Sequence, residues 1–233
     1  MTKALFRDDA YLRECTASVL AANNDAVVTD QTVFYPMGGG QPGDTGILTW
    51  QDHVLDVIDT RYGENGEICH LVATRSVLPP PGTTVTLKLA WQRRYRHMRM
   101  HTAMHLLGTV LPFGVTGGNI TEQRSRLDFD MQDSVDKEAV ERALQALVEG
   151  NYSVRSRWIT EEELDAQPEL VRTLSVKPPR GAGSIRLLEI EGIDLQPCGG
   201  THLATTAEVG RVQIDKVEKK GKHNRRVYVS LPD

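Results

Sequence analysis

Up to about residue 90 the apolar residues come in short runs that hold no helical period. β-branched and aromatic residues gather at 26–29, 32–35, 54–58, 68–72 and 83–89, and Gly, Pro, Asn or Asp separates the runs. Strands this short, so spaced, predict a small β-barrel over residues 1–90. The stiff Pro-Pro-Pro-Gly stretch at 79–82 precedes its last strand, because strand-like sequence resumes at once.

From Trp91 the pattern changes. A helix is predicted from there to about Leu111, where Pro112 and Gly114 stop it. A second helix spans 136–151, with Ser134 as its N-cap and Ala139, Val140, Ala143, Leu144, Leu147 and Val148 as its apolar face. A short third helix covers 161–166, ahead of Pro168. Residues 115–120 read as a turn, 178–183 as a mobile loop, and 125–130, 154–159, 185–190, 211–218 and 225–230 as strands. The fold class is therefore α+β: a small N-terminal β-barrel (1–90), then an α+β domain (91–233) with helices on a mainly antiparallel sheet.

Two stretches carry candidate chemistry. His101 and His105 stand four apart on the first helix, so both imidazoles lie on one face. Cys198 and His202 share that spacing in Cys-Gly-Gly-Thr-His, where two glycines permit a tight turn. Three imidazoles and a thiolate suit zinc better than magnesium or calcium, at one ion per chain. Taken singly, each half has an ordinary reading: two surface histidines, or a small buried thiol. Both halves together, in a chain of three cysteines and seven histidines, favour the metal. His97 lies on the same helical face, but at 1.5 Å per residue it is about 12 Å from His105. It is expected at the surface or facing RNA. A zinc peptidase of the His-Glu-x-x-His type is disfavoured, because Thr102 occupies the place of the glutamate base.

Residues 34–46 form the densest glycine run, containing Gly39-Gly40-Gln41. No Gly-Lys-Ser/Thr follows it, so it is not a phosphate-binding P-loop. Two readings stay open: a β-turn with a bulge, or a loop whose backbone approaches a ligand while Gln41 supplies an amide.

Composition narrows the class. With 39% hydrophobic and 25% charged residues, the chain has the make-up of a soluble globular protein. No apolar run reaches membrane-spanning length, and the charged N-terminus lacks the apolar segment of a signal peptide. Three scattered cysteines fit a reducing cytoplasm, with Cys15 and Cys69 structural. The net charge of -4 argues against a wholly basic nucleic-acid binder. Yet Arg93, Arg94, Arg96 and Arg99 cluster beside the first metal half, and Lys216, Lys219, Lys220, Lys222, Arg225 and Arg226 follow the second. Each run alone reads as solvated surface. Together they suggest a polyanion path.

Across nearly its whole length the chain resembles the freestanding alanyl-tRNA editing proteins, which are similar to the editing domain of alanyl-tRNA synthetase. The resemblance rests on residues 34–46, on Met98-Arg-Met-His-Thr-Ala-Met-His-Leu-Leu107, on Asp194-Leu-Gln-Pro-Cys-Gly-Gly-Thr-His202, and on the stretch from Gly210 to Tyr228. The Gly-Gly-Gln segment and the end at Asp233 resemble the medium-length members. Longer members carry a further C-terminal domain. Met104 departs from the threonine that alanyl-tRNA synthetases often place before the second histidine.

The resemblance implies a zinc-dependent cytoplasmic hydrolase. It would remove serine chiefly, and glycine, from mischarged tRNA(Ala), with no membrane and no obligate protein partner. It implies metal ligation by His101, His105, Cys198 and His202, and catalytic roles for Gly39, Gly40 and Gln41. Thr116 and Thr201 complete the candidate substrate pocket, and Arg93, Arg94, Lys219, Lys220, Lys222, Arg225 and Arg226 the candidate tRNA contacts. Such a second hydrolytic site makes physical sense, since an alanine pocket cannot exclude glycine by size and rejects serine's extra hydroxyl poorly. Four protein ligands would close the metal, whereas catalytic zinc usually keeps a position open. Two other readings remain: a zinc-containing RNA-binding module without chemistry, and an editing domain of threonyl-tRNA synthetase type.

Overall fold

The computed structural model describes residues 2–23, 25–174 and 183–232, so most of the loop expected at 178–183 lies outside the described residues. The chain divides into two compact units, Met1–Arg96 and His97–Asp233.

The first unit runs through β1 (Lys3–Ala4), β2 (Glu14–Asn23), β3 (Ala26–Thr29), β4 (Gln31–Thr32), β5 (Gly46–Trp50), β6 (His53–Tyr62), β7 (Ile68–Val72) and β8 (Thr84–Leu89). Six of these close a barrel in the order β2-β3-β7-β6-β5-β8, every pairing antiparallel, with β8 returning to β2. Strict alternation fills it. Val85, Leu87 and Leu89 of β8 point inward between exposed neighbours, and Val27, Leu48 and Val57 meet them in one core. Each such side chain contributes about 1.5–3 kcal/mol on leaving water. The barrel needs two strands beyond those read from the sequence, β2 and β5. The sequence of β2, Glu-Cys-Thr-Ala-Ser-Val-Leu-Ala-Ala-Asn, has weak intrinsic strand preference; closure against both β3 and β8 imposes the conformation. The strand expected at 32–35 shrinks to β4, which among the described residues pairs with β1 and stays outside the barrel.

The helix α1 (Trp91–Val110) carries the boundary between the units. Its first turn belongs with the barrel because Arg94 is buried there. The Arg94 guanidinium pairs with Asp44 and donates to the carbonyls of Ala10 (3.0 Å) and Val33 (2.7 Å). Arg93 donates to the Gly43 carbonyl at 2.6 Å. From Met100 to Leu107 every residue of α1 is buried, so this stretch is enclosed on all sides and lacks the one-sided exposure of a surface helix. His97 is buried too, which corrects its expected surface position: Met98, Met100 and His101 beside it on the helix are buried, and so is Arg94 one turn back.

The second unit continues with β9 (Val115–Asn119), β10 (Arg124–Asp130), α2 (Lys137–Glu149), β11 (Val154–Thr160), α3 (Glu161–Asp165), β12 (Ser184–Ile190), β13 (Asp194–Pro197), β14 (Gln213–Lys219) and β15 (Asn224–Ser230). In place of one sheet there are two, both antiparallel: β14-β15-β10-β9 and β11-β12-β13. Residues 115–119, expected as a turn, form the outer strand β9. The N-cap of α2 is Asp136, whose carboxylate accepts the Ala139 N–H at 3.0 Å, and not Ser134. Its buried stripe is Val140, Leu144 and Val148, narrower than predicted, since Ala143 is exposed. Among the described residues no helix is long and apolar enough to cross a membrane.

Candidate metal centre

One turn of α1 sets His101 below His105, with ring centroids 5.3 Å apart. The chain leaving β13 brings Cys198 and His202 to the same place. The thiol sulfur lies 3.6 Å from His101 Nε2 and 3.2 Å from His202 Nε2. One donor atom from each of the four residues falls within 4.8 Å of every other. Zinc–nitrogen and zinc–sulfur bonds of about 2.0 and 2.3 Å set tetrahedral donor separations of about 3.5 Å. The donor set and its spacing fit a zinc ion.

Neighbouring side chains fix the ring orientations. His105 Nδ1 stands 3.2 Å from the Asp194 carboxylate, leaving Nε2 for the cluster. That carboxylate also accepts from Gln196 (2.6 Å) and faces the Arg172 guanidinium at 3.3 Å. His202 Nδ1 lies 3.3 Å from the Thr102 hydroxyl, which the Leu203 N–H also approaches at 3.3 Å. With hydrogen on both Nδ1 atoms, both Nε2 lone pairs face the cluster. Carboxylate or hydroxyl partners of this kind hold a ligating histidine in tautomer and orientation. Thr102, the position where a peptidase would carry its glutamate, serves as such a partner.

The turn holding Cys198 is secured by Arg186. Its guanidinium donates to the carbonyls of Cys198 (3.0 Å) and Gly200 (2.9 Å), and the Cys198 N–H returns a bond to the Arg186 carbonyl at 3.1 Å. Neither Gly199 nor Gly200 takes a positive φ, and a Cβ at Gly199 would meet nothing within 4 Å. The side-chain clamp shapes this turn, not the glycine freedom expected of it.

The cluster is strongly coupled electrostatically. Burial alone would raise the Cys198 thiol, yet His101, His202 and His105 hold it well below its ordinary value. Burial and the charge of His101 push His202 well below the usual imidazole range. Against burial, the Cys198 thiolate and the Asp194 carboxylate raise His105 to about 9. Ligation requires the thiolate and neutral imidazoles, so metal binding at this cluster is coupled to proton release.

The other expected site residues fall elsewhere. Gly39, Gly40 and Gln41 belong to the barrel unit. Gly39 and Gly40, at φ 55° and 82°, are the central residues of a two-residue turn closed by Gly38 and Gln41, which exchange backbone hydrogen bonds. Gln41 is buried. Thr116 is half-buried, donating to the Asp128 carbonyl (3.2 Å) and accepting from Asn224 (2.8 Å). Thr201 is buried beside the ligand His202.

The basic residues divide. Lys219 and Lys222 are exposed, and Lys220, also exposed, pairs with Glu218 at 2.8 Å. Arg225 is buried and donates to the carbonyls of Gln132 and Asp133, and Arg226 forks onto Asp128 at 2.7 and 2.9 Å. Arg94 and Arg225 are therefore corrections: both guanidiniums are buried and spent on the protein's own oxygens. Asp194, Arg172 and Arg186 escaped the sequence reading, since only the folded chain brings Asp194 and Arg186 to the ligands and Arg172 to Asp194.

Similarity to known proteins agrees with this architecture. Residues 185–228 match the family described as the threonyl and alanyl tRNA synthetase second additional domain, and residues 3–93 match class II (A) tRNA synthetases. Both point to a module shared with tRNA synthetases. The alanyl-tRNA editing protein AlaX-M of Methanosarcina mazei is 35% identical over 246 aligned residues, covering 100% of this chain and 98% of the relative. That of Saccharolobus solfataricus is 33% identical, with 99% of each covered. The alanine–tRNA ligase of Pyrococcus furiosus is 36% identical over 94% of this chain but only 24% of the ligase. The chain belongs to the alanyl-tRNA editing protein family, with full-length relatives of the AlaX-M type.

Proposed function

We propose that the protein is a hydrolase that deacylates mischarged tRNA(Ala) in trans, removing chiefly serine, with glycine as a second substrate. The observation that carries this reading is the convergence of His101, His105, Cys198 and His202 in a chain that aligns end to end with AlaX-M proteins. The bond cleaved is the ester between the amino acid and the terminal ribose. Water's oxygen joins the acyl carbon, the acyl C–O bond breaks, and the ribose oxygen takes a proton.

The four ligands would hold one zinc ion per chain. Zinc bound there supplies Lewis acidity toward a carbonyl or water oxygen. Asp194 and Thr102 keep two of the ligating rings in place, and Arg186 keeps the Cys198 turn in place, so little reorganisation accompanies binding. Thr201, next to His202, is proposed as part of the wall facing the amino-acid side chain.

We assign the zinc-dependent editing step to residues 91–233, and propose that residues 1–90 contribute Gly39-Gly40-Gln41 to substrate positioning. Lys219, Lys220 and Lys222 are the proposed phosphate contacts from the basic stretch, supported by their exposure. We place the activity in the cytoplasm, where the three free cysteines stay reduced.

The test is deacylation of Ser-, Gly- and Ala-tRNA(Ala), with zinc measured in the same preparation. Ser-tRNA(Ala) should be hydrolysed fastest and Ala-tRNA(Ala) spared, with about one zinc per chain. Cys198→Ala should lose both metal and activity. Gln41→Ala should keep its zinc and slow the reaction. A zinc-loaded protein that hydrolyses none of the three would sink the reading and leave the RNA-binding module.

A further inference from the structure

β11 is an outer strand of the three-stranded sheet, and from Arg155 to Trp158 every residue on it is exposed. Trp158 stands directly opposite Arg186, and the antiparallel register that pairs Leu187 with Pro197 sets Arg186 opposite Cys198. Residues directly opposite one another share a sheet face. Trp158, Arg186 and Cys198 therefore form one row, which places the indole strand about 10 Å from the cysteine strand at the usual inter-strand spacing. Farther along that face Leu188, Ile190 and Asp194 are buried, as is Val154 opposite Ile190. Trp158 itself is 48% exposed, a large aromatic plane open to water in the row of Cys198.

Along β11 the charge changes sign on either side of the indole. Arg155 and Arg157 are exposed on the same outer strand, alternating to its other face. Glu189 lies opposite Arg155, which leaves Arg157 as the stronger phosphate contact. Beyond Thr160 the chain turns acidic at Glu161, Glu162 and Glu163. A polyanion reaching Trp158 is thus drawn toward Arg157 and repelled from α3.

An exposed aromatic plane next to a guanidinium is the arrangement that single-stranded nucleic acid uses, the base stacking and the phosphate pairing. In a 3′-aminoacylated RNA the terminal base hangs from the same ribose as the ester. Its platform must lie within one nucleotide of the reacting bond. The row from Trp158 to Cys198 meets that requirement.

We propose that Trp158 is the stacking platform for the terminal nucleobase of the aminoacylated RNA end, with Arg157 taking a phosphate behind it. This rests on the deacylase reading above and adds a substrate-binding residue to it. The probe is uncharged tRNA(Ala) with and without its terminal adenosine. Wild-type protein should lose about tenfold in affinity when that adenosine is removed. Trp158→Ala should bind both RNAs alike and raise KM for Ser-tRNA(Ala) with kcat nearly unchanged, while Trp158→Phe keeps most of the wild-type preference. Zinc content serves as the folding check. If Trp158→Ala fails it, quenching of wild-type indole fluorescence by the full-length but not the shortened RNA carries the test, with Trp158→Phe as the background.

Equal adenosine dependence in wild type and Trp158→Ala, or none in the wild type, overturns the platform. Absence of wild-type deacylation overturns the functional reading instead, so the two failures are separable.

Discussion

The barrel unit and the metal-centre unit both bury polar groups, but they satisfy them in opposite ways. In the barrel, His70 Nδ1 donates to the Val27 carbonyl at 2.9 Å, and Nε2 accepts from the Thr32 hydroxyl at 2.8 Å, which itself accepts the Phe34 N–H. Because a carbonyl only accepts, this chain of bonds fixes the tautomer. Arg94 likewise ends on Asp44 and two carbonyls. Every one of these groups closes on a fixed protein partner. In the second unit, His101, His105, Cys198 and His202 aim their donor atoms at one another, with the far sides of His105 and His202 held by Asp194 and Thr102. Burial of a histidine or a charge thus marks no site by itself. Convergence of lone pairs does.

The largest expected effect breaks the barrel side of this comparison. Arg94→Met leaves Asp44 buried and uncompensated, and should cost about 3–5 kcal/mol in urea unfolding. Adding Asp44→Leu should recover much of that loss, because replacing both partners by apolar groups removes the stranded charge. If Arg94→Met unfolds like wild type, the pair is not what closes the glycine-rich segment onto the helix.

The next effect is pH-dependent. Burial depresses His70 from 6.5 to about 4, partly offset by its bond to the Val27 carbonyl. The unfolded chain therefore binds this proton first. The neutral imidazole contributes stability that is present above pH 6.5 and lost as pH falls toward 4, amounting to roughly 3 kcal/mol over that window. Carboxylates also titrate near its lower end, so the informative quantity is the difference between wild type and His70→Gln. The variant should show a shallower decline between pH 6.5 and 4.5; parallel curves would mean that His70 is not the group responsible.

The two units also differed in how far their sequences could be read. The ligand set was legible because His-x-x-x-His and Cys-x-x-x-His fix their geometry locally, through one helical turn and one short loop. A barrel could be expected because short β-branched runs are parted by Gly, Pro, Asn and Asp. The alanine-rich β2 could not be read, since only closure makes it a strand. Nor could the fate of the arginines: Arg94 and Lys219 look alike in a basic run, yet one is fully enclosed and the other in water. Arg186 and Asp194 lie in ordinary strand sequence, and only the register of β12 against β13 turns them toward Cys198 and His105.

The smallest expected effect sharpens the metal-centre side. Asp194 holds one ring by a single 3.2 Å contact and has its own supports in Gln196 and Arg172. Partners of ligating histidines typically change metal affinity by about 10–100-fold when removed. Asp194→Ala should therefore retain zinc at saturating metal but release it that much more readily to a competing chelator, with unfolding of the barrel unit unaffected. Asp194→Asn keeps an oxygen for His105 Nδ1–H and loses the charge, so it should fall between the two. If the alanine variant holds zinc as tightly as wild type, the four donors are positioned by the backbone alone, and the contrast with the tightly partnered His70 would lie in the ligands themselves and not in what surrounds them.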